Sequence, residues 1–231
     1  MGHADLHVHT IHSDGASSVS DVLQAASRAH LDVIAITDHD NPRGGLWGAE
    51  LAPAYGLEVI PGCEVTTAQG HLLALDIQQH VPRLLSLAET VQAVAEQGGF
   101  CVIPHPGARW VDSLQEQVIA PVAADPLLRR TLLSIEIYNA SLLDRDSLQR
   151  AHKIAQRTDL VPVATSDAHV AWNVGAGAIA FPGHTAHDLR VALERRNVSI
   201  VQRERPGVLR LWSSWLRHRA AYALGGLTSR A

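Results

Sequence analysis

DLHVHTIHSD, residues 5–14, places three histidines and two aspartates in ten positions near the start of the chain. Leu6 and Val8 alternate with His7 and His9, so ADLHVH over 4–9 reads as a strand. Residues two apart on a strand share a face, so both imidazoles point the same way. Burying such groups is costly unless something pairs with them. The stretch predicts a strand whose far end carries chemistry.

The same signature recurs along the chain. Further strand runs are DVIAIT (32–37), LEVIPGCEV (57–65), HLLALDI (71–77), FCVIPH (100–105), SIEIYN (134–139), LVPVATS (160–166) and GAIAF (177–181). Helical patterns fall near 18–30, 43–55, 83–98, 145–158 and 186–197. Most strand runs are continuously apolar, as in a parallel sheet covered on both faces. Roughly seven strand–helix repeats favour an α/β barrel over an open doubly wound sheet. Neither GxGxxG nor GxxxxGK[ST] occurs, which weakens the nucleotide-binding folds further. Asp5, His7 and His9, Asp38 and His39, Glu64, His105, Glu136, and Asp167 and His169 all fall in or just after the C-terminal end of a run. In α/β barrels those ends converge on one mouth.

Composition is that of an ordinary globular protein, with 46% hydrophobic and 18% charged residues among 231. No apolar stretch is long enough to span a membrane, and the first residues lack the layout of a signal peptide, so a cytoplasmic location is expected. Cys63 and Cys101 suggest no disulfide framework. Residues 203–231 carry a net charge of +5, leaving −9 on the rest. An acidic, histidine-rich body suits bound cations, although solvated acidic surfaces are commoner.

His7 and His9, and again Asp167 and His169, are spaced by two. Imidazole nitrogens and carboxylate oxygens together suit borderline divalent ions such as zinc, manganese or iron. A glutamate such as Glu64 can bridge two ions, and cations relieve the mutual repulsion of clustered carboxylates.

In order, DLHVHTIHSDG, ITDHD, PGCEVT, GHLLAL, IPHPGAR and TSDAH resemble the signature of the PHP (polymerase and histidinol phosphatase) family, from about residue 4 to 200. The resemblance implies a distorted (β/α)7 TIM-like barrel, two or three divalent metals, and phosphoesterase chemistry. It implies that His7, His9, Glu64 and Asp167 hold one metal, and that Glu64 bridges to a second held by His71 and His105. Asp14, His39 and His169 would supply a third position and act in catalysis; Asp14 stands where many members have histidine. The implied reaction is attack of a metal-activated water on phosphorus. Among stand-alone members the motifs most resemble the nucleotide phosphoesterases, which suggests a small phosphorylated substrate, a nucleotide or short oligonucleotide. Only 27 residues separate Asn139 and Asp167, so a long insertion often seen there is absent. The alternatives are a histidinol-phosphate-type phosphatase and a non-catalytic metal-binding module.

Other residues remain open at this level. Arg109 and Arg43, each four residues after a candidate histidine, could grip phosphate as planar forks. His12 could contact substrate or protonate a leaving group. Glu136 could support a ligating histidine or touch substrate; Asp5, Asp38 and Asp40 read as supports. Cys63 alternates away from Glu64. PGVLRLWSSWLRHRAAYALGG, after a barrel domain of 1–205, reads as an amphipathic helix over 206–231 that closes the barrel or lies peripheral to it. Oligomeric state is not legible.

Overall fold

The apolar runs read from the sequence all form strands, joined into one sheet. The computed structural model describes residues 1–109, 111–142 and 145–203, with Ser213 and Leu216; the helix expected over 206–231 otherwise lies outside the described residues. The strands are β1 (Gly2–Asp5), β2 (Val33–Ile36), β3 (Glu58–Thr67), β4 (Gly70–Leu75), β5 (Phe100–Ile103), β6 (Leu132–Asn139), β7 (Val161–Thr165), β8 (Gly177–Phe181) and β9 (Ser199–Gln202). Their order is β7-β6-β5-β4-β3-β2-β1-β8-β9. The helices are α1 (Val19–Arg28), α2 (Arg43–Leu51), α3 (Leu87–Glu96), α4 (Glu116–Ala124), α5 (Arg145–Thr158) and α6 (Ala186–Glu194). Three of them start at a reciprocal capping box, Ser18 with Asp21, Ser86 with Glu89, and Thr185 with Asp188, which satisfies first-turn N–H groups.

Strand alternation sorts the core into layers. Val33 and Ala35 of β2 turn inward with Leu73, Leu75, Val102 and Val163. Ile34 and Ile36 turn outward against Val19, Val22 and Leu23 of α1. Leu189 and Leu193 of α6 join the inner layer near Phe100, Leu133 and Val161, residues at strand starts, so α6 closes the bottom of the barrel. Helices α3, α4 and α5 cover the other side of the sheet around Cys63 and Cys101.

The sheet is mixed rather than all parallel. β4 runs antiparallel to both β3 and β5, and β8 antiparallel to both β1 and β9. The two residues between β3 and β4 are too few for a parallel crossover. A continuous apolar run reports burial on both faces, which β4 has, and not strand direction. Helix α4 and strand β9 have no counterpart in the sequence reading. Pro121 lies inside α4 and reads as a helix breaker, and β9 is four residues long and only half-buried.

The first strand is regular only to Asp5, but its continuation closes the barrel. Val8 bridges Ala168 beyond β7, through His9 N–H to the Ala168 carbonyl at 2.9 Å and Ala168 N–H to the His7 carbonyl at 3.3 Å. On its other side Thr37 N–H donates to the Val8 carbonyl at 2.8 Å. The two chemistry-bearing segments of the sequence, 160 residues apart, are thus seated side by side.

Helix α2 lies flush on the sheet. A Cβ at Gly45 would meet the backbone of Gly62 at 2.8 Å and the Ile36 carbonyl at 2.9 Å. Gly45→Ala should force α2 outward and lower stability by about 1–3 kcal/mol, the usual cost of overpacking, read as a lower midpoint in denaturant unfolding.

Candidate metal centre

Glu64, on β3, is the meeting point. Its backbone is held by N–H to the Thr37 carbonyl at 3.1 Å and by its carbonyl accepting from Asp40 N–H at 3.0 Å. Its Oε2 lies 3.2 Å from His7 Nε2, 3.2 Å from His9 Nε2 and 3.5 Å from His39 Nδ1. Its Oε1 lies 3.0 Å from both His71 Nδ1 and His105 Nε2. Asp167 Oδ1 completes the first group, 3.4 Å from His7 Nε2 and 3.3 Å from His9 Nε2. A third group gathers around Asp14: His169 Nε2 is 3.0 Å and His39 Nε2 is 3.7 Å from Oδ2, and His9 Nδ1 is 3.5 Å from Oδ1. His9 therefore faces two groups at once, which spacing along a strand does not reveal.

The rings are aimed by oxygen partners behind them. Glu136 Oε1 accepts from His7 Nδ1 at 2.7 Å and from the Thr165 hydroxyl at 2.7 Å. Its Oε2 accepts the His105 backbone N–H at 2.7 Å and Asn139 Nδ2 at 3.1 Å. Ser113 Oγ sits 3.1 Å from His105 Nδ1, and the Asp167 carbonyl accepts from His169 Nδ1 at 3.0 Å. A neutral imidazole that donates through Nδ1 leaves a bare lone pair on Nε2, so these contacts turn bare nitrogens toward carboxylates. Asn139 Nδ2 also reaches Asp167 Oδ2 at 3.0 Å.

Asn139 is not among the residues that the sequence pattern marks. Strict alternation from Glu136 would favour Tyr138, but the β6–β7 register shifts between Glu136 and Tyr138 and re-aims the strand end. His105 and Asp167 have φ of 30° and 50°, a left-handed backbone that L residues rarely adopt.

Asp5, Asp38 and Asp40 each hold neighbouring backbone or hydroxyl groups, Asp38 and Asp40 gripping Thr10, Ser13 and Thr66. Asp5 accepts from Ser166 N–H at 3.0 Å and Gly175 N–H at 2.8 Å, and burial pushes its carboxyl pKa up to about 6. Asp38 accepts from the Thr10 N–H at 2.8 Å and hydroxyl at 2.7 Å and from the Ser13 hydroxyl at 2.7 Å, tying down the loop that carries Asp14. Asp40 accepts from Thr66 N–H at 2.7 Å and its hydroxyl at 2.8 Å.

Arg43 and Arg109 are exposed. His12 stands edge-on to Trp47, ring centroids 5.8 Å apart, with its Nε2 buried and lacking a hydrogen-bond partner. Cys63 faces the outer layer, where burial raises its thiol pKa to about 12, so it is not a nucleophile.

Electrostatics mark the centre as a cation site. Burial works against charge on His7, but Asp167, Glu136 and Glu64 outweigh it and hold its pKa well above the ordinary value. His9 is raised to about 10 against its own burial by the Asp167 and Glu64 carboxylates beside its Nε2. Burial alone would raise the Glu64 and Asp167 carboxyls; the surrounding imidazoles, His7 foremost, instead hold both well below the usual range. Burial lowers His39, against the pull of Glu64. Lone pairs of nitrogen and oxygen facing one another at 3.0–3.4 Å need a proton or a metal cation between them. Asp167 Oδ1 is buried and lacks a hydrogen-bond partner. Donors on a tetrahedral ion at 2.0–2.1 Å are about 3.3 Å apart, which is the spacing of the first group. Three sets, His7–His9–Glu64, His39–Glu64–His71 and His9–Asp14–His39–His169, bring one donor atom per residue within 4.8 Å of each other, so they fit divalent metals.

This mixed-donor centre at the mouth of an α/β barrel defines a class that comparison with known proteins makes specific. Residues 5–123 match the PHP domain family and residues 145–198 match the PHP-associated family. The chain belongs to the PHP domain family. It is 31% identical over 148 residues to an uncharacterized protein of Methanocaldococcus jannaschii, covering 59% of this chain and 81% of that one. It is 26% identical over 215 residues to a 3',5'-nucleoside bisphosphate phosphatase of Chromobacterium violaceum, covering 84% and 72%. A crystal structure of a two-domain protein from Bacteroides vulgatus, containing a predicted PHP-like metal-dependent phosphoesterase, superposes with a TM-score of 0.70 at 20% identity. That alignment covers 87% of this chain and 64% of the other.

Two outcomes follow from the charge balance. In metal-free protein His9 carries its proton up to about pH 10 and must lose it to ligate, so zinc added at pH 8 should release about one proton or more per ion, seen as acidification in weak buffer. A pKa raised on folding stabilises fully below the unfolded value of 6.5 and is lost as pH rises to about 10; the metal-free protein should melt progressively lower across that window. Glu136→Gln, which weakens the aim of His7, should cost about 10–100-fold in metal affinity, measured by competition with a chromogenic chelator.

Proposed function

We propose that this PHP-family metal-dependent phosphoesterase, a hydrolase of phosphoric ester bonds, acts on small phosphorylated substrates of nucleotide or short-oligonucleotide type. One observation carries the reading: Glu64 offers one carboxylate oxygen to His7 and His9, joined by Asp167, and the other to His71 and His105. A single buried residue shared between two donor groups is the arrangement a metal-bridging carboxylate needs. His7, His9, Glu64 and Asp167 would hold one ion, Glu64, His71 and His105 a second, and Asp14, His39 and His169, with His9 alongside, a third. Zinc, manganese and iron all suit these donors. When bound, such ions supply Lewis acidity, neutralising phosphate charge and activating water. The nucleotide preference draws on likeness to the Chromobacterium violaceum phosphatase over most of the chain.

The chain's own residues supply the order this chemistry needs. Glu136 fixes the His7 ring and the His105 backbone together, so donors from opposite sides of the barrel keep one spacing. Asn139 ties Asp167 to the same carboxylate. Asp38 holds the Thr10–Ser13 loop and with it Asp14. His12, between His9 and Asp14, has an uncommitted ring nitrogen suited to protonating a leaving oxygen.

Exhaustive chelation should abolish hydrolysis of a chromogenic phosphoester, and manganese or zinc should restore it. Asp167→Asn should lose more than the about 100-fold that supporting residues typically cost. Unchanged turnover in metal-stripped protein would overturn the assignment.

A further inference from the structure

Arg83 is not among the arginines that sequence spacing brings forward, yet the fold ties it to the mouth. Leu84 N–H donates to the Thr66 carbonyl at 2.8 Å, and Ala68 N–H donates to the Leu85 carbonyl at 2.8 Å. These bonds pin the segment after Arg83 to the end of β3. There Thr66 stands opposite His71 in the β3–β4 ladder. Arg83 Nε lies 3.0 Å from Asp40 Oδ2. Asp40 is itself fixed by Thr66 and by its N–H on the Glu64 carbonyl, and it follows His39 directly. The guanidinium is therefore held one residue from a candidate ligand and beside the strand position that faces another.

The pairing leaves most of its bonding capacity unused. The Arg83 side chain is 57% exposed, whereas that of Asp40 is 15% exposed. Among the described residues the guanidinium makes this ion pair and no hydrogen bond of standard geometry. An exposed pair of this kind adds little to stability. Its effect is to orient a planar fork of donors that matches carboxylate or phosphate oxygens. On the phosphoesterase reading the reacting phosphate would lie at the cations Glu64 helps to hold, and among the described residues the Arg83 guanidinium pairs with Asp40 rather than with a candidate ligand, so its fork is left for a different anionic group of the same molecule.

We propose that Arg83, oriented by Asp40, binds a second, non-reacting anionic group of the substrate, a further phosphate or a carboxylate, and so sets substrate selectivity. The inference rests on the phosphoesterase reading, and its test separates the two.

Binding is read without turnover, by calorimetry on manganese-loaded full-length protein. The probes are methylphosphonate, with one anionic group, and phosphonoacetate, 3-phosphonopropionate and 4-phosphonobutyrate, which add a carboxylate at increasing reach. In wild type at least one two-anion probe should bind about tenfold or more tighter than methylphosphonate. Arg83→Ala should remove that gain, and Arg83→Lys should keep only part of it, since a point charge lacks the fork. Arg157→Ala, which breaks an exposed pair with Glu116 on the outer helices, should retain it. No gain in wild type, or a gain that survives Arg83→Ala, overturns the proposal. An equal loss for methylphosphonate also overturns it, by placing Arg83 on the reacting phosphate. Failure of wild type to hydrolyse any phosphate ester would count against the phosphoesterase reading alone, because the probe affinities are measured independently of it.

Discussion

One carboxylate surrounded by imidazoles constrains the whole molecule. Glu64 is buried and has His7, His9, His39, His71 and His105 within 3.5 Å. Burying a lone carboxylate costs several kcal/mol, and lone pairs on its neighbours add to that cost unless cations intervene. Proton or metal must occupy the centre, and most other polar features serve to hold the donors at the spacing a metal accepts. Glu136 illustrates this. Its four hydrogen-bond partners come from His7, His105, Asn139 and Thr165, so one side chain correlates four segments of chain.

The backbone carries part of the same burden. His105 and Asp167 leave their strands through left-handed conformations, and β6 accommodates a shift in register before Asn139. Such departures cost of order 1–3 kcal/mol each and persist where the surroundings over-determine them. Here closure between Val8 and Ala168 provides that constraint, since it seats the His7–His9 segment against the Asp167–His169 segment. Packing below the centre is apolar, and α6 seals it, leaving the polar end as the open one.

Much of this was legible from residue order. The HxH and DxH spacings and the coincidence of polar residues with strand ends pointed to His7, His9, Asp167 and His169 as candidate donors, by chemistry and position rather than by strand geometry, since both pairs lie beyond the regular ends of β1 and β7. Glu136 was recognisable for the same reason. Asn139 was hidden by the register shift, α4 by Pro121, and the antiparallel placement of β4 by an apolar run that reports burial rather than direction. Spacing brought forward Arg43 and Arg109 but not Arg83, which is exposed as they are and reaches Asp40 across more than forty residues of chain.

By itself the sequence determined that His7, His9, Glu64, His105, Asp167 and His169 carry donor chemistry in or just after apolar runs, since periodicity and donor chemistry are local properties; Asp14 and His71 entered only through the family resemblance. Only the tertiary structure decided how the donors are shared: that Glu64 divides its two oxygens between groups, that His9 faces both the Glu64 and the Asp14 clusters, and that Arg83 belongs to the rim. Those relations depend on the closure of the sheet and on loop conformations fixed by distant hydrogen bonds, and no pattern within a single segment encodes them.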